Sequence, residues 1–123
     1  MMQFTEEKPI WRQIYDLIAM RILSGEWAEM ERIVSVRELA STIGVNPNTV
    51  MRTYERLTDE GLIFNRRGIG YFVAEDAQQR AAAIARERFI TEQLPQLFAK
   101  MKSIGITAEE ILTLYNDYNN ENK

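Results

Sequence analysis

Two helix-start signals follow one another closely, with a glycine between them, and that arrangement leaves few folds open. Ser35-Val36-Arg37-Glu38 fits a capping box, in which the serine oxygen and the glutamate carboxylate satisfy free N–H groups at a helix start. Asn46-Pro47 is the second signal, a side-chain cap followed by a first-turn proline whose missing N–H breaks no helical bond. Between them, Leu39, Ala40 and Ile43 form the inner face of a short helix that Gly44 interrupts. The helix opened by Asn46 runs to about Glu60, with Val50, Tyr54 and Leu57 on one side and Gly61 closing it.

The flanking segments complete the pattern. Pro9 opens a first helix in which Ile10, Ile14, Leu17 and Ile18 recur near the helical period, and Gly25 ends it. An irregular stretch over 26–34 follows, with Trp27, Met30 and Ile33 as core anchors. Residues 62–65 read as a strand, 66–70 as a turn and 71–74 as a returning strand, with Gly68 and Gly70 permitting the tight reversal. A two-stranded hairpin is marginal alone, so it must pack on the helices. Residues 77–101 then carry Ala81, Ile84, Ala85, Phe89, Ile90, Leu94, Leu97, Phe98 and Met101 at helical spacing. Pro95 is predicted to kink or divide this run. A break around Gly105 and a cap at Thr107 open a last helix bearing Ile111, Leu112, Leu114, Tyr115 and Tyr118, and residues 119–123 are predicted to fray.

Composition narrows the chemistry. The chain has no cysteine and no histidine, which excludes disulfides, thiolate zinc sites, Ser–His or Cys–His nucleophiles and imidazole acid–base work. No cofactor is implied, and an enzyme is the weakest reading. The opening Met-Met-Gln-Phe-Thr-Glu-Glu-Lys lacks the basic start and apolar run of a secretory signal, and no stretch is long and apolar enough to span a bilayer. A cytoplasmic address without membrane attachment is the expectation. The net charge of -3 disfavours a polyanionic partner, but the distribution matters more than the sum. Over 35–71 the basic residues are Arg37, Arg52, Arg56, Arg66 and Arg67, against Glu38, Glu55, Asp59 and Glu60, and arginine suits bidentate phosphate or guanine contacts.

The order helix, capped helix, tight turn, capped helix and basic hairpin describes a winged helix-turn-helix. A helix entering the major groove points its N-terminal residues at base edges while the preceding helix braces it. Asn48, Thr49, Arg52 and Thr53 supply small polar and arginine side chains in the first two turns. Arg66-Arg67-Gly68 supplies a glycine-bearing tip with cations, and Ser35, Arg37 and Asn46 at the two helix starts join the candidate DNA-binding set. Plainer readings stand beside these: Arg52 can pair with Glu55, Arg56 with Glu60, and Tyr54 can be a core ring.

Pro9-Ile10-Trp11-Arg12-Gln13-Ile14, Ser35-Val36-Arg37-Glu38-Leu39-Ala40, Val45-Asn46-Pro47-Asn48-Thr49-Val50 and Arg67-Gly68-Ile69-Gly70-Tyr71-Phe72-Val73 occur in this order, with Glu60-Gly61-Leu62-Ile63 before the last. Together they resemble the GntR family of bacterial transcription regulators, and the short helical tail resembles the YtrA-type subgroup, which lacks large effector-binding domains. The chain departs from the family pattern at Glu29-Met30, where members carry Pro-Gly, and at Ile33-Val34-Ser35, where they carry Leu-Pro-Ser. Pro47 stands where some relatives place an arginine that contacts a base. The resemblance implies a contact by Arg37, approach of Asn48, Thr49 and Arg52 to bases or phosphates, and entry of Arg67 and Gly68 into the minor groove.

The expected fold is therefore mainly α with a small β-hairpin: a winged helix-turn-helix DNA-binding domain over 8–76 and a helical dimerisation tail over 77–120. A two-helix tail with large apolar faces cannot bury both against so small a domain, so a second copy is expected to cover Ile84, Phe89, Ile90, Leu94, Leu97, Phe98, Met101, Ile111, Leu114 and Tyr115. The expected function is a homodimeric repressor on a double-stranded, inverted-repeat operator. The alternative is a winged-helix adaptor that joins proteins without DNA. A small-molecule effector, if one binds, is expected in the crevice lined by the tail helices.

Overall fold

The computed structural model describes residues 8–122, and the opening segment read above for a missing export signal lies outside them, apart from Lys8. Helix α1 spans Ile10–Leu23, with Pro9 at the cap position and its carbonyl accepting from the N–H groups of Arg12 and Gln13. Helix α2 spans Val36–Ile43. The Ser35 hydroxyl oxygen accepts from the Glu38 N–H at 3.1 Å, while the Glu38 carboxylate accepts from that hydroxyl at 3.3 Å in place of the backbone N–H that the capping box predicts. Gly44 ends α2 at φ 71°, a left-handed conformation that favours glycine. Helix α3 spans Pro47–Asp59, and the Asn46 side chain accepts from the Asn48 N–H at 2.8 Å.

These three helices share one core. Ile14, Tyr15, Ile18 and Ile22 of α1 meet Leu39, Ala40 and Ile43 of α2 and Val50, Tyr54 and Leu57 of α3. The Tyr15 hydroxyl donates to the Glu60 carboxylate, which also holds Arg56 in an ion pair at 3.1 Å. Strands β1 (Ile63–Arg66) and β2 (Gly70–Val73) pair antiparallel, with Phe64 opposite Phe72 and Arg66 opposite Gly70. Both lie within one residue of the sequence expectation. Ile63 and Val73 face the core, so the hairpin gains its stability from the helices.

The stretch over 26–34 is more regular than its sequence suggests. Arg32 bridges to Phe72, with Ile33 N–H donating to the Tyr71 carbonyl at 2.9 Å and Val73 N–H to the Glu31 carbonyl at 3.0 Å. The hairpin thus acquires a third extended segment on its β2 side. Met30, whose N–H donates to the Val73 carbonyl, carries φ 67° and is exposed rather than a core anchor.

Helix α4 spans Ala77–Arg88, α5 Leu94–Ile104 and α6 Ala108–Glu121. The chain divides into two compact units after Ile84. Ala77 and Ala81 are buried in the core of the first and Ile84 packs against it, so the start of the tail belongs with the winged unit. Within the second unit, Pro95 neither kinks nor splits the helix by itself. Phe89–Gln93 forms a π-helical segment just ahead of it, with the Leu94 N–H reaching back five residues to the Phe89 carbonyl. Proline cannot donate and crowds the carbonyl four residues earlier, and a wider turn absorbs that strain. Gly105 and Thr107 end α5 and cap α6 as expected, but α6 stays helical to Glu121, past the predicted fraying point.

Left-handed backbone costs a residue with a Cβ about 1–2 kcal/mol, and glycine removes that cost while losing more entropy on folding. Met30→Gly is expected to stabilise the chain by about 0.5–1 kcal/mol, raising the thermal midpoint by several degrees in a circular-dichroism melt. A lowered midpoint would show that the methionine side chain contributes more than its exposure indicates.

Candidate nucleic-acid interface

The N-terminal half of α3 presents Asn48, Met51, Arg52 and Glu55 outward, while Val50, Thr53, Tyr54 and Leu57 are buried. One sequence expectation fails here. Thr53 is fully buried, with its hydroxyl bonded to the Thr49 carbonyl at 3.0 Å and the Trp11 carbonyl at 3.4 Å, so it pins α3 to α1 instead of facing a ligand. It lies one residue beyond Arg52, and that single step of about 100° carries it to the inner face. Thr49 is half-buried. Ser35 and Asn46 are helix caps first, with side-chain oxygens engaged by backbone N–H groups.

Tyr54 fixes the orientation of α3. Its hydroxyl donates to the Val34 carbonyl at 2.6 Å, and its ring meets that of Tyr71 edge to face at 5.0 Å. Burial pushes this hydroxyl well above the usual phenol range, with Tyr71 and Glu38 adding to the effect. One side chain thereby ties α3 to the segment entering α2 and to β2 of the wing. The core reading of Tyr54 is the one the structure adopts.

The arginines of the winged unit fall into two groups. Arg12, Arg21, Arg56 and Arg80 each pair with a carboxylate, through Asp16, Glu26, Glu60 and Asp76. The Arg80 hydrogen bond draws the Asp76 carboxyl below its ordinary pKa. Arg56 also stands 6.0 Å over the Trp11 ring, so it holds the structural role that its spacing to Glu60 allows. Arg32, Arg37, Arg52, Arg66 and Arg67 are all exposed, and among the described residues none has a carboxylate within ion-pair distance. Arg52 does not pair with Glu55.

Two of the unpaired arginines, Arg32 and Arg37, border one surface formed by α2, α3 and the wing, whereas Arg52 lies with Trp11, Glu55, Arg56 and Asp59. A cleft of about 300 Å³ is lined by Arg32, Ser35, Arg37, Met51, Ile69 and Gly70, among others, and so brings the α2 start, the outer face of α3 and the wing together. Arg67 and Gly68 occupy the loop between the strands, and Gly68, at φ 80°, has open space around it. Arg66 lies over the Phe72 and Phe64 rings, at 5.2 and 5.8 Å. Sequence reasoning missed Arg32 and Met51. The alternation of exposed Arg32 with buried Ile33 was the only signal for the former, and it is too short to stand out.

In the second unit, Phe89, Ile90, Leu97, Phe98, Leu114 and Tyr115 are exposed, as are Ile104, Leu112 and Tyr118. Leu94 and Ile111 are half-buried. Two expected interface residues are corrected: Ile84 packs on the winged core and Met101 is buried within the single chain, so neither offers a partner much surface. Among the described residues no group of acidic side chains is placed to hold a metal ion, and no helix is long and apolar enough to cross a membrane.

A capped helix pair joined by a tight glycine turn, followed by a wing that packs on the same core, defines a winged helix-turn-helix protein. Residues 11–73 match the bacterial regulatory proteins of the gntR family, and the chain belongs to that family. It is 38% identical to the HTH-type transcriptional regulator YhcF of Bacillus subtilis over 89% of each chain. It is 35% identical to the HTH-type transcriptional repressor YtrA of the same organism, over 84% of this chain and 78% of YtrA. A GntR-family regulator of Bacteroides thetaiotaomicron has a similar structure, with a TM-score of 0.81 and 41% identity over 93% of this chain and all (100%) of that one. Another from Listeria monocytogenes gives 0.75 and 33% over 93% and 98%. These are transcriptional regulators, not enzymes.

Tyr54→Phe leaves the Val34 carbonyl without its donor, at a cost of about 1–2 kcal/mol. The unfolded phenol ionises near pH 10, whereas the folded one stays neutral, so this group's contribution is intact below that pH and declines above it. Denaturant titrations are expected to show stability falling above about pH 10, with a shallower fall in the Phe variant. Equal slopes would exclude Tyr54 as the source.

Proposed function

We propose that this regulator is a homodimeric repressor that lays the leading end of α3 in the major groove of each half of an inverted-repeat operator. In this reading Asn48, Thr49 and Arg52 address bases or nearby phosphates, Arg37 at the start of α2 contacts the backbone, and the wing tip, Arg67-Gly68, enters the minor groove. The observation that carries it is the sorting of the arginines. Arg12, Arg21, Arg56 and Arg80 each pair with a carboxylate, whereas Arg37 at the α2 start, Arg52 near the α3 start and Arg66 and Arg67 of the wing do not. A chain with net charge -3 thereby keeps guanidinium groups on these elements open to a polyanion.

Repression is supported by the likeness to YtrA, itself named a repressor. Dimerisation is supported by the exposed aromatic and aliphatic side chains of α5 and α6, which form more apolar surface than a solitary small domain ordinarily leaves open. Two copies related by a two-fold axis present two reading helices to a palindrome, and the second contact becomes effectively intramolecular. A cytoplasmic location follows from such a role.

Arg52→Ala is expected to weaken operator binding by roughly 1–3 kcal/mol and relax preference at one base pair, whereas Arg56→Ala changes stability more than affinity. Gel-shift titrations on a duplex selected from a random pool read both, and an unchanged Arg52→Ala titration removes that residue from the site. Absence of binding to any duplex at any salt concentration would favour the adaptor reading instead.

Phe98→Glu places a charge in the proposed interface. Sedimentation velocity is expected to show a monomer, with operator affinity lower by about 10²-fold or more as bivalence is lost. A variant that still sediments as a dimer would move the interface away from α5.

A further inference from the structure

We propose that Arg32 is a phosphate-binding residue. Its guanidinium, laid in the trough over Gly70, takes one phosphodiester of the operator backbone, and it links the α2 arginine to those of the wing. The inference rests on the DNA-binding reading above and extends it to a residue outside the helix-turn-helix and the wing tip.

The trough follows from sheet geometry. The hydrogen bonds of Ile33 and Val73 bracket the Arg32–Phe72 pair, so these two side chains leave the sheet on the same face. Phe64 opposes Phe72, and Arg66 opposes Gly70 one alternation further on, which puts Phe64, Arg66, Gly70, Phe72 and Arg32 on that face. The central strand therefore offers a bare glycine with an arginine on each neighbouring segment. A Cβ at Gly70 would come within 3.0 Å of the Arg32 Nε and 3.4 Å of its Nη2, so the missing side chain is what admits the guanidinium. Gly70 also holds φ 140°, which L side chains rarely adopt.

On the other side the Arg66 guanidinium rests over two stacked rings, Phe64 and Phe72, whose centroids are 5.7 Å apart. Neither arginine has a carboxylate partner among the described residues. The guanidinium fork matches phosphate oxygens in particular. The anion belongs to DNA because of where the trough leads. Arg32 and Gly70 also line the cleft with Ser35, Arg37 and Met51, so a strand leaving α3 toward the wing passes over them.

The test compares wild type, Arg32→Ala and Arg32→Lys on the selected duplex by fluorescence anisotropy across a salt series. Arg32→Ala is expected to bind roughly fivefold to tenfold more weakly near 0.1 M salt. Its plot of log K against log salt should be shallower by about 0.9 per protomer engaged, with the ranking of operator variants unchanged. Arg32→Lys keeps the charge and is expected to keep the slope. Thermal melts check that each variant folds. A wild-type slope in Arg32→Ala, or an altered ranking of operator variants, overturns the proposal while leaving the regulator's DNA binding in place. Wild type that binds no duplex removes the underlying reading instead. Saturable binding of inorganic phosphate that Arg32→Ala abolishes, with the DNA slope unmoved, assigns the trough to free phosphate and also overturns the proposal.

Discussion

A single buried hydroxyl does most to hold the reading head in register. Tyr54 sits on the inner face of α3, reaches the Val34 carbonyl just before α2 and sets its ring edge against Tyr71 in the wing. Without that tie, the helix, the preceding turn and the hairpin would be three pieces sharing a greasy core, free to slide by fractions of a turn. Apolar packing is tolerant of such slips, whereas a directional bond at 2.6 Å is not. Thr53 adds a second tie one residue earlier, toward α1. Adjacent positions of one helix thus anchor it to both of its neighbours, and the residues on its opposite side inherit fixed positions from them.

Electrostatics complement this rigidity. A surface that carries more acids than bases is poorly suited to a polyanion, yet four of the acids here are spent locally. Asp16, Glu26, Glu60 and Asp76 are each engaged by an arginine or lysine within reach. Exposed pairs of this kind add little to stability. Their effect is on the shape of the field, since they neutralise Arg12, Arg21, Arg56 and Arg80 and leave Arg32, Arg37, Arg52, Arg66 and Arg67 without a carboxylate in ion-pair distance among the described residues.

Much of this was legible in the chain because capping and turn chemistry are local. Ser35, Asn46, Gly44, Gly105 and Thr107 mark boundaries that the structure keeps, since each satisfies or releases backbone groups within a few residues of itself. What escaped was non-local. The pairing of Arg32 with Phe72 joins residues far apart in sequence, so a three-residue edge segment looked like irregular loop. Thr53 was misplaced because polarity suggested exposure, whereas two carbonyls were waiting inside for its hydroxyl. The tail was cut too early because small alanines, Ala77 and Ala81, carry little hydrophobic signal even when they fill a core. Met101 and Ile84 shared the spacing of the exposed stripe, and spacing alone does not say which neighbour buries a side chain.

The wide turn ahead of Pro95 has an evolutionary corollary. A π segment amounts to one extra residue threaded into an α-helix, and each residue advances the helix by about 100°. Loss of one codon between Phe89 and Gln93 would close the wide turn to ordinary winding and leave Leu97 and Phe98 near their present side of the axis relative to Phe89 and Ile90. The wide turn thus lets this segment gain or lose a residue while the exposed stripe of Phe89, Ile90, Leu97 and Phe98 stays in line.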